Sequence, residues 1–289
     1  MSIEKIKKLR EITKAGLSDI KKALENTNYD TDKAIIWLRE NGVLNAAKKV
    51  DRIAAEGVIK IKKTKNKIVI IEVNSETDFV AQNNIFNKSI DKILNTIIDN
   101  NIKNLEDLEK LKIDNQDFKE YVAILISTIG EKINFRRFVL IDNLKTLNIG
   151  YYVHSNNRIG AIVVAKGIDE ITLKDIAMHI TAMSPEYLSL NDISSEKRES
   201  EYNIAKKELM EKISSKPEEI QKKIIDGKVS KNLSEIVLLE QPFIKDQSIK
   251  IKDLLKNGEI LNFVRFEVGS GIEKRIDNFK EEVLKQANS

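Results

Sequence analysis

Two histidines, His154 and His179, are the whole imidazole complement of the 289-residue sequence. Neither has a nucleophile or a set of metal ligands beside it, so neither describes a catalytic triad or a zinc site. His179 sits next to Ile180 on an amphipathic run, the setting of a hydrogen-bonded structural histidine. His154 falls at the exposed end of a strand-like stretch, where a surface contact is the expected role. The absence of cysteine removes thiol nucleophiles, disulfide frames and thiolate metal sites. There is no G-x-x-x-x-G-K-[ST] or G-x-G-x-x-G loop to cradle phosphate, and no H-E-x-x-H pair to bind zinc. Gly269-Ser270-Gly271 reads as a turn, and among 45 acidic residues no pair stands out. Nothing in this inventory argues for an enzyme, a resident metal or a cofactor.

The elements that carry these residues fall into blocks. Ile3, Ile6, Leu9 and Ile12 predict a first helix ending at Ala15-Gly16. Leu17, Ile20, Ala23 and Leu24 predict a second, with Ser18 as its cap. Ala34, Ile35 and Leu38 predict a third, capped by Thr31 and stopped at Asn41-Gly42. A helical linker around Ala46–Lys49 follows. From Gly57 the period changes to that of strands. Val58–Ile61 and Ile68–Val73 predict a hairpin turning at Lys63–Asn66. Helical stripes through Phe86–Ile98 and Phe118–Ile129 follow, then a strand at Ile133–Leu140.

A second block repeats this plan. Tyr151–Val153 and Ala161–Val164 predict another hairpin around Ser155-Asn156-Asn157, and Leu173, Ile176, Ala177 and Ile180 predict a helix ending before Pro185. When Ile133–Leu140 is set against Leu261–Val268, four of eight positions are identical: Asn, Phe, Arg and Phe, in register. An internal duplication explains this. Within the second block, Tyr202, Ala205, Leu209 and Ile213, then Ile220 and Ile224 beyond Ser214–Pro217, trace a narrow apolar seam. Such a seam suits two helices packed on each other and projecting from the body.

Hydrophobic residues make up 41% of the chain and charged residues 33%, which suits a folded chain of two or three domains. The formal net charge of +4 hides an asymmetry. Residues 1–70 hold 17 Lys/Arg against 9 Asp/Glu, whereas the remainder holds 32 against 36. A basic front end steers encounter with an acidic partner; the plainer alternative is a lysine-rich solvated surface. A nucleic-acid binder would account for that basic end, but its lysines alternate with acids and lack aromatic stacking partners. The first residues lack the apolar run of a signal peptide, and no stretch approaches a membrane span. A cytoplasmic protein is the expectation.

Two stretches resemble signatures of the elongation factor Ts family. Leu9-Arg10-Glu11-Ile12-Thr13-Lys14-Ala15-Gly16-Leu17, continuing to Leu24, is similar to L-R-x-x-T-G-A-G-M-x-x-C-K-K-A-L. It departs from that pattern at Lys14, Leu17 and Ile20. Glu72-Val73-Asn74-Ser75-Glu76-Thr77-Asp78-Phe79-Val80-Ala81-Gln82 is similar to E-V-N-x-x-T-D-F-V-A-[KR], with Gln82 in place of the basic residue. Gly130–Ile133 with Arg136-Arg137, Ala177–Ala182, Gln241–Phe243 and Arg265–Gly269 also fit, in family order from about residue 4 to 283.

The resemblance implies an α+β fold: an N-terminal three-helix module of the ubiquitin-associated type, a duplicated α+β core with antiparallel sheets, and an inserted coiled-coil hairpin. The corresponding boundaries are 1–54, a first core half at 55–141, a second at 142–272 with the hairpin at about 194–233, and a C-terminal helical module at 273–289. It further implies a guanine nucleotide exchange factor for the GTPase elongation factor Tu, bound as a heterodimer or heterotetramer. Membrane and direct nucleic-acid binding are not expected. Thr77, Asp78, Phe79 and Val80 would reach the partner's Mg²⁺ site, and Arg10, Leu17 and His154 would make further partner contacts. Taken without the resemblance, Phe79 reads more simply as a core phenylalanine closing a strand.

Overall fold

The structure is a computed structural model that describes residues 3–13, 15–142 and 144–273. Lys14 and most of the expected C-terminal module, residues 274–289, lie outside the described residues. The chain divides into two compact units, one of residues 1–62, 68–140 and 267–289, the other of residues 63–67 and 141–266.

The first unit opens with three helices: α1 (Ile3–Thr13), α2 (Leu17–Asn26) and α3 (Thr31–Ala47). Leu9, Ile20, Ala23, Leu24, Ala34 and Leu38 form their shared core, so the apolar spacing marks the inward faces. The caps differ from the sequence expectation. Asp30, one residue earlier than Thr31, accepts the Asp32 and Lys33 N–H groups, since the residue just outside the helix is the one whose side chain reaches the free amides. Ser18 lies inside α2, which begins after an extended Gly16. Helix α3 also runs through Asn41-Gly42 to Ala47. The reason is packing: a side chain at Gly42 would stand 3.8 Å from Ile124 on a later helix. Burial against that neighbour outweighs the roughly 1 kcal/mol that glycine costs inside a helix.

A three-stranded sheet follows, ordered β1 (Glu56–Lys63), β2 (Ile68–Ser75), β5 (Ile133–Ile141). Central β2 is buried at all eight positions. Helices α4 (Asn84–Asn100) and α6 (Phe118–Ile129) share a core with the sheet through Val69, Ile71, Phe86, Ile90, Phe118 and Ile126. Between them lie α5 (Leu105–Glu109) and a small ribbon of β3 (Lys112–Ile113) and β4 (Gln116–Asp117). Sequence periodicity missed this ribbon because its strands are two residues long. Its turn shows only as Asp114-Asn115, both at positive φ (51° and 64°).

The second unit repeats the order. Strands β6 (Asn148–Val153) and β7 (Ile159–Lys166) pair antiparallel, and β10 (Glu259–Glu267) joins β7 as β5 joins β2. Helix α7 (Glu170–Met183) lies so close to β6 that a side chain on Gly150 would overlap the Leu173 carbonyl, at 2.3 Å. A second ribbon, β8 (Pro242–Phe243) with β9 (Asp246–Lys250), precedes β10.

The polar insert forms α8 (Ser195–Ile213) and α9 (Glu218–Ile236). Tyr202, Ala205, Leu209 and Ile213 pack against Ile224, Ile225 and Val229, and Lys228 reaches Glu208 at 3.6 Å. Ile220, expected in the seam, is 45% exposed, and Ile225 is buried in its place. The inward stripe of α9 runs through Ile225, Val229 and Leu233 at intervals of four, the residues that meet the buried clusters.

Buried polar groups divide between the units. In the first, Glu72 receives hydrogen bonds from Arg136 (3.0 Å), Arg137 (2.6 Å) and the Gly269 N–H (2.9 Å). Burial alone would raise its pKa, but these three donors outweigh it and hold the carboxyl below its ordinary range. In the second, His179 accepts the Ile244 N–H on Nδ1 (3.3 Å), which assigns its proton to Nε2, facing Gln241 Oε1 at 2.9 Å. Burial keeps this imidazole neutral by lowering its pKa, although the bond to Gln241 opposes the shift. Its role is structural.

Candidate functional site

Strand β2 delivers the chain from the middle of the first core to an eight-residue connection, Glu76–Asn83, ahead of α4. Residues Asp78–Gln82 form a 3₁₀ turn whose end is closed by the Asn83 N–H donating to the Val80 carbonyl at 2.9 Å. The two central side chains face opposite ways. Val80 is 5% exposed and joins the core with Phe86 and Ile90. Phe79 is 83% exposed, the most exposed large apolar side chain among the described residues.

The backbone beneath Phe79 is held from both sides. Upstream, the Thr77 N–H donates to Glu131 Oε2 at 2.8 Å and the Thr77 hydroxyl to Glu131 Oε1 at 2.6 Å. The Ser75 hydroxyl donates to the Thr77 carbonyl at 2.8 Å. Glu76 in turn accepts the Lys132 N–H at 2.6 Å and both ends of its carboxylate face Arg52. Downstream, the Asn83 side chain accepts the Ile85 and Phe86 N–H groups and caps α4, while the Asn87 amide donates to the Ala81 carbonyl at 2.8 Å. This fixed backbone presents an aromatic ring beside an exposed carboxylate, Asp78, which has no hydrogen-bond or ion-pair partner among the described residues.

Such an arrangement does no covalent chemistry. An apolar ring in water is unfavourable by itself and gains on entering a partner's cleft. Rigid support lowers the ordering cost of that docking. The simpler expectation of a core phenylalanine is therefore replaced: Phe79 points outward, and its neighbour Val80 fills the core.

The other sequence-selected residues are spread out. Arg10 is exposed on α1, and Leu17 is exposed at the start of α2. Gln82 is exposed at the end of the 3₁₀ turn. His154 is exposed at the β6–β7 turn in the second unit, its Nδ1 2.9 Å from Asn156 Oδ1. The side chain that sequence reasoning did not assign is Glu131, which lies 54 residues from Thr77. Its only sequence signal was membership of the Gly130–Ile133 block. Among the described residues, no cluster of three or more His, Asp or Glu could hold a metal ion, and no helix is long and apolar enough to cross a membrane.

Comparison with known proteins gives a consistent result. A family model described as "Elongation factor TS" matches residues 76–270. Elongation factor Ts of Mycoplasmopsis pulmonis (strain UAB CTIP) is 45% identical over 286 residues, covering 97% of this chain and 96% of its own length.

Proposed function

The chain belongs to the elongation factor Ts family, and from that premise we propose that it releases GDP from elongation factor Tu by pressing the Asp78–Phe79 turn against the partner's nucleotide site. The family acts as nucleotide exchange factors for that GTPase and catalyses no covalent step of its own. The observation that carries the mechanistic reading is the outward Phe79 on a braced loop.

The GTPase holds GDP through phosphate contacts and a bridging Mg²⁺. The Phe79 ring wedges between elements that form that site, and the Asp78 carboxylate competes for polar groups near the ion. Loss of Mg²⁺ leaves phosphate charge less compensated, and the nucleotide departs. Thr77 and Val80 shape the turn. Linkage then requires that the chain bind the nucleotide-free partner more tightly than the GDP form by the same factor by which it weakens GDP. Displacing a tightly held nucleotide demands coupling above the roughly 1–3 kcal/mol of ordinary allosteric pairs. Contacts at more than one place supply it: Arg10 and Leu17 from the N-terminal module, the Phe79 turn, and His154 from the second core half.

In this reading, residues 1–54 act as a ubiquitin-associated-type module, 55–141 and 142–272 as the two core halves, α8 and α9 as a coiled-coil hairpin, and 273–289 as a C-terminal module. The complex is a heterodimer or heterotetramer in the cytoplasm, without direct nucleic-acid contact. Stopped-flow release of fluorescent GDP from elongation factor Tu, with and without catalytic amounts of this chain, tests the proposal. Acceleration supports it, and an unchanged release rate refutes it.

A further inference from the structure

Resting on that reading, we infer that Glu131 is a positioning residue for exchange: it holds the Asp78–Phe79 turn in its outward arrangement and does not itself touch the nucleotide site. The side chain comes from the turn between α6 and β5. Gly130 closes α6 in the left-handed region (φ 90°), a conformation that favours glycine, and the reversal brings Glu131 beneath the β2–α4 connection. Both Glu131 oxygens are used on one residue, Thr77, through its N–H and its hydroxyl. The exchange is mutual, because Glu76 of the connection accepts the Lys132 N–H of the turn at 2.6 Å. Two carboxylates thus each satisfy a backbone donor on the opposite segment, and these charge-assisted bonds are stronger than neutral ones.

The placement explains why the two neighbouring residues behave so differently. Thr77 is clasped and Val80 is buried, so Asp78 and Phe79 span two fixed points. Neither has support of its own among the described residues beyond that backbone. Removing Glu131 frees the Thr77 amide and hydroxyl while leaving the Val80 anchor and the Asn83 cap of α4 intact. The turn then samples other arrangements, and binding to the partner must first restore the outward one.

The first test needs no partner. Amide hydrogen exchange of the free full-length chain should show Thr77 protected, with protection falling about tenfold or more in Glu131→Ala. Unchanged protection overturns the inference. The second test measures GDP release from elongation factor Tu. Glu131→Ala should lower the acceleration about tenfold. Glu131→Gln, which keeps one acceptor oxygen, should recover most of it. In a background carrying both Asp78→Ala and Phe79→Ala, Glu131→Ala should cause no further loss, because the Glu131 carboxylate acts through those two side chains. A full tenfold loss repeated in that background overturns the inference, since Glu131 would then act on its own. Thr77→Val removes only the hydroxyl bond and should give an intermediate loss; wild-type rates for Thr77→Val and Glu131→Ala together also overturn it. If the wild-type chain fails to accelerate release at all, the exchange reading falls, while the Thr77 amide still judges the clasp.

Discussion

The two halves of the core place their second strand and following helix in the same order but join them differently. In the first half, eight residues separate β2 from α4, and they push Phe79 outward. In the second, only Gly167, Ile168 and Asp169 separate β7 from α7, and Ile168 turns inward at 5% exposure. The helix caps are equivalent: Asn83 and Asp169 each accept two N–H groups of the first turn. The frame is thus shared up to the cap, and the difference is confined to the chain between. A repeat keeps its core residues and varies its connections, which is where binding function accumulates.

Exchanging an alanine into each connection gives the largest contrast. Phe79→Ala should lower the acceleration of GDP release about a hundredfold, the effect of losing a central aromatic anchor. Its unfolding free energy should stay within about 0.5 kcal/mol of wild type, since the ring is exposed. Ile168→Ala should reverse the pattern, costing the second unit about 2–4 kcal/mol in denaturant unfolding with exchange per folded molecule unchanged. Equal effects of the two substitutions on exchange would erase the functional distinction.

A smaller contrast lies at the base of the first connection. Val80→Ala should cost about 1–2 kcal/mol of stability and slow exchange severalfold. If stability falls but exchange does not, burial of Val80 is not needed to present Phe79.

Acid should separate the units next. His179 is held neutral, below its ordinary value of 6.5, so the unfolded chain takes up its proton more readily. Its contribution is therefore complete above pH 6.5 and lost as the pH falls below that value. Glu72 is held below its ordinary 4.5, so its contribution is complete above pH 4.5 and lost only as the pH falls through the lower folded value. Peptide-resolved hydrogen exchange, corrected for intrinsic rates, should show the second unit loosening first on acidification from pH 7. The least effect is expected at Arg39–Glu120, a 3.3 Å pair in the first unit with both side chains partly in water. Arg39→Ala should change unfolding by no more than about 0.5 kcal/mol.

Much of this was legible from residue order alone. The apolar stripes of α4 and α7, both long hairpins and the paired third strands follow from short-range periodicity, because burying one face of a helix or sheet imposes a period on the side chains. The polar insert is also recognisable as two helices, although Ile220 is exposed and Ile225 buried, because packing against α8 and not spacing alone selects the inward residues. The continuation of α3 through Gly42 was hidden, because a local stop signal was overruled by packing on α6.

What residue order determined by itself was which segments form helices and strands, and that Thr77–Val80 lies in a stretch resembling the family signature E-V-N-x-x-T-D-F-V-A-[KR]. It did not determine which way Phe79 points. Taken alone, an apolar residue just after a buried strand is assigned to the core, and here the adjacent Val80 occupies that place. Only the tertiary structure decided between them, because the choice depends on Glu131 arriving from 54 residues away to satisfy the Thr77 donors. A contact of that range leaves no periodic trace in the chain.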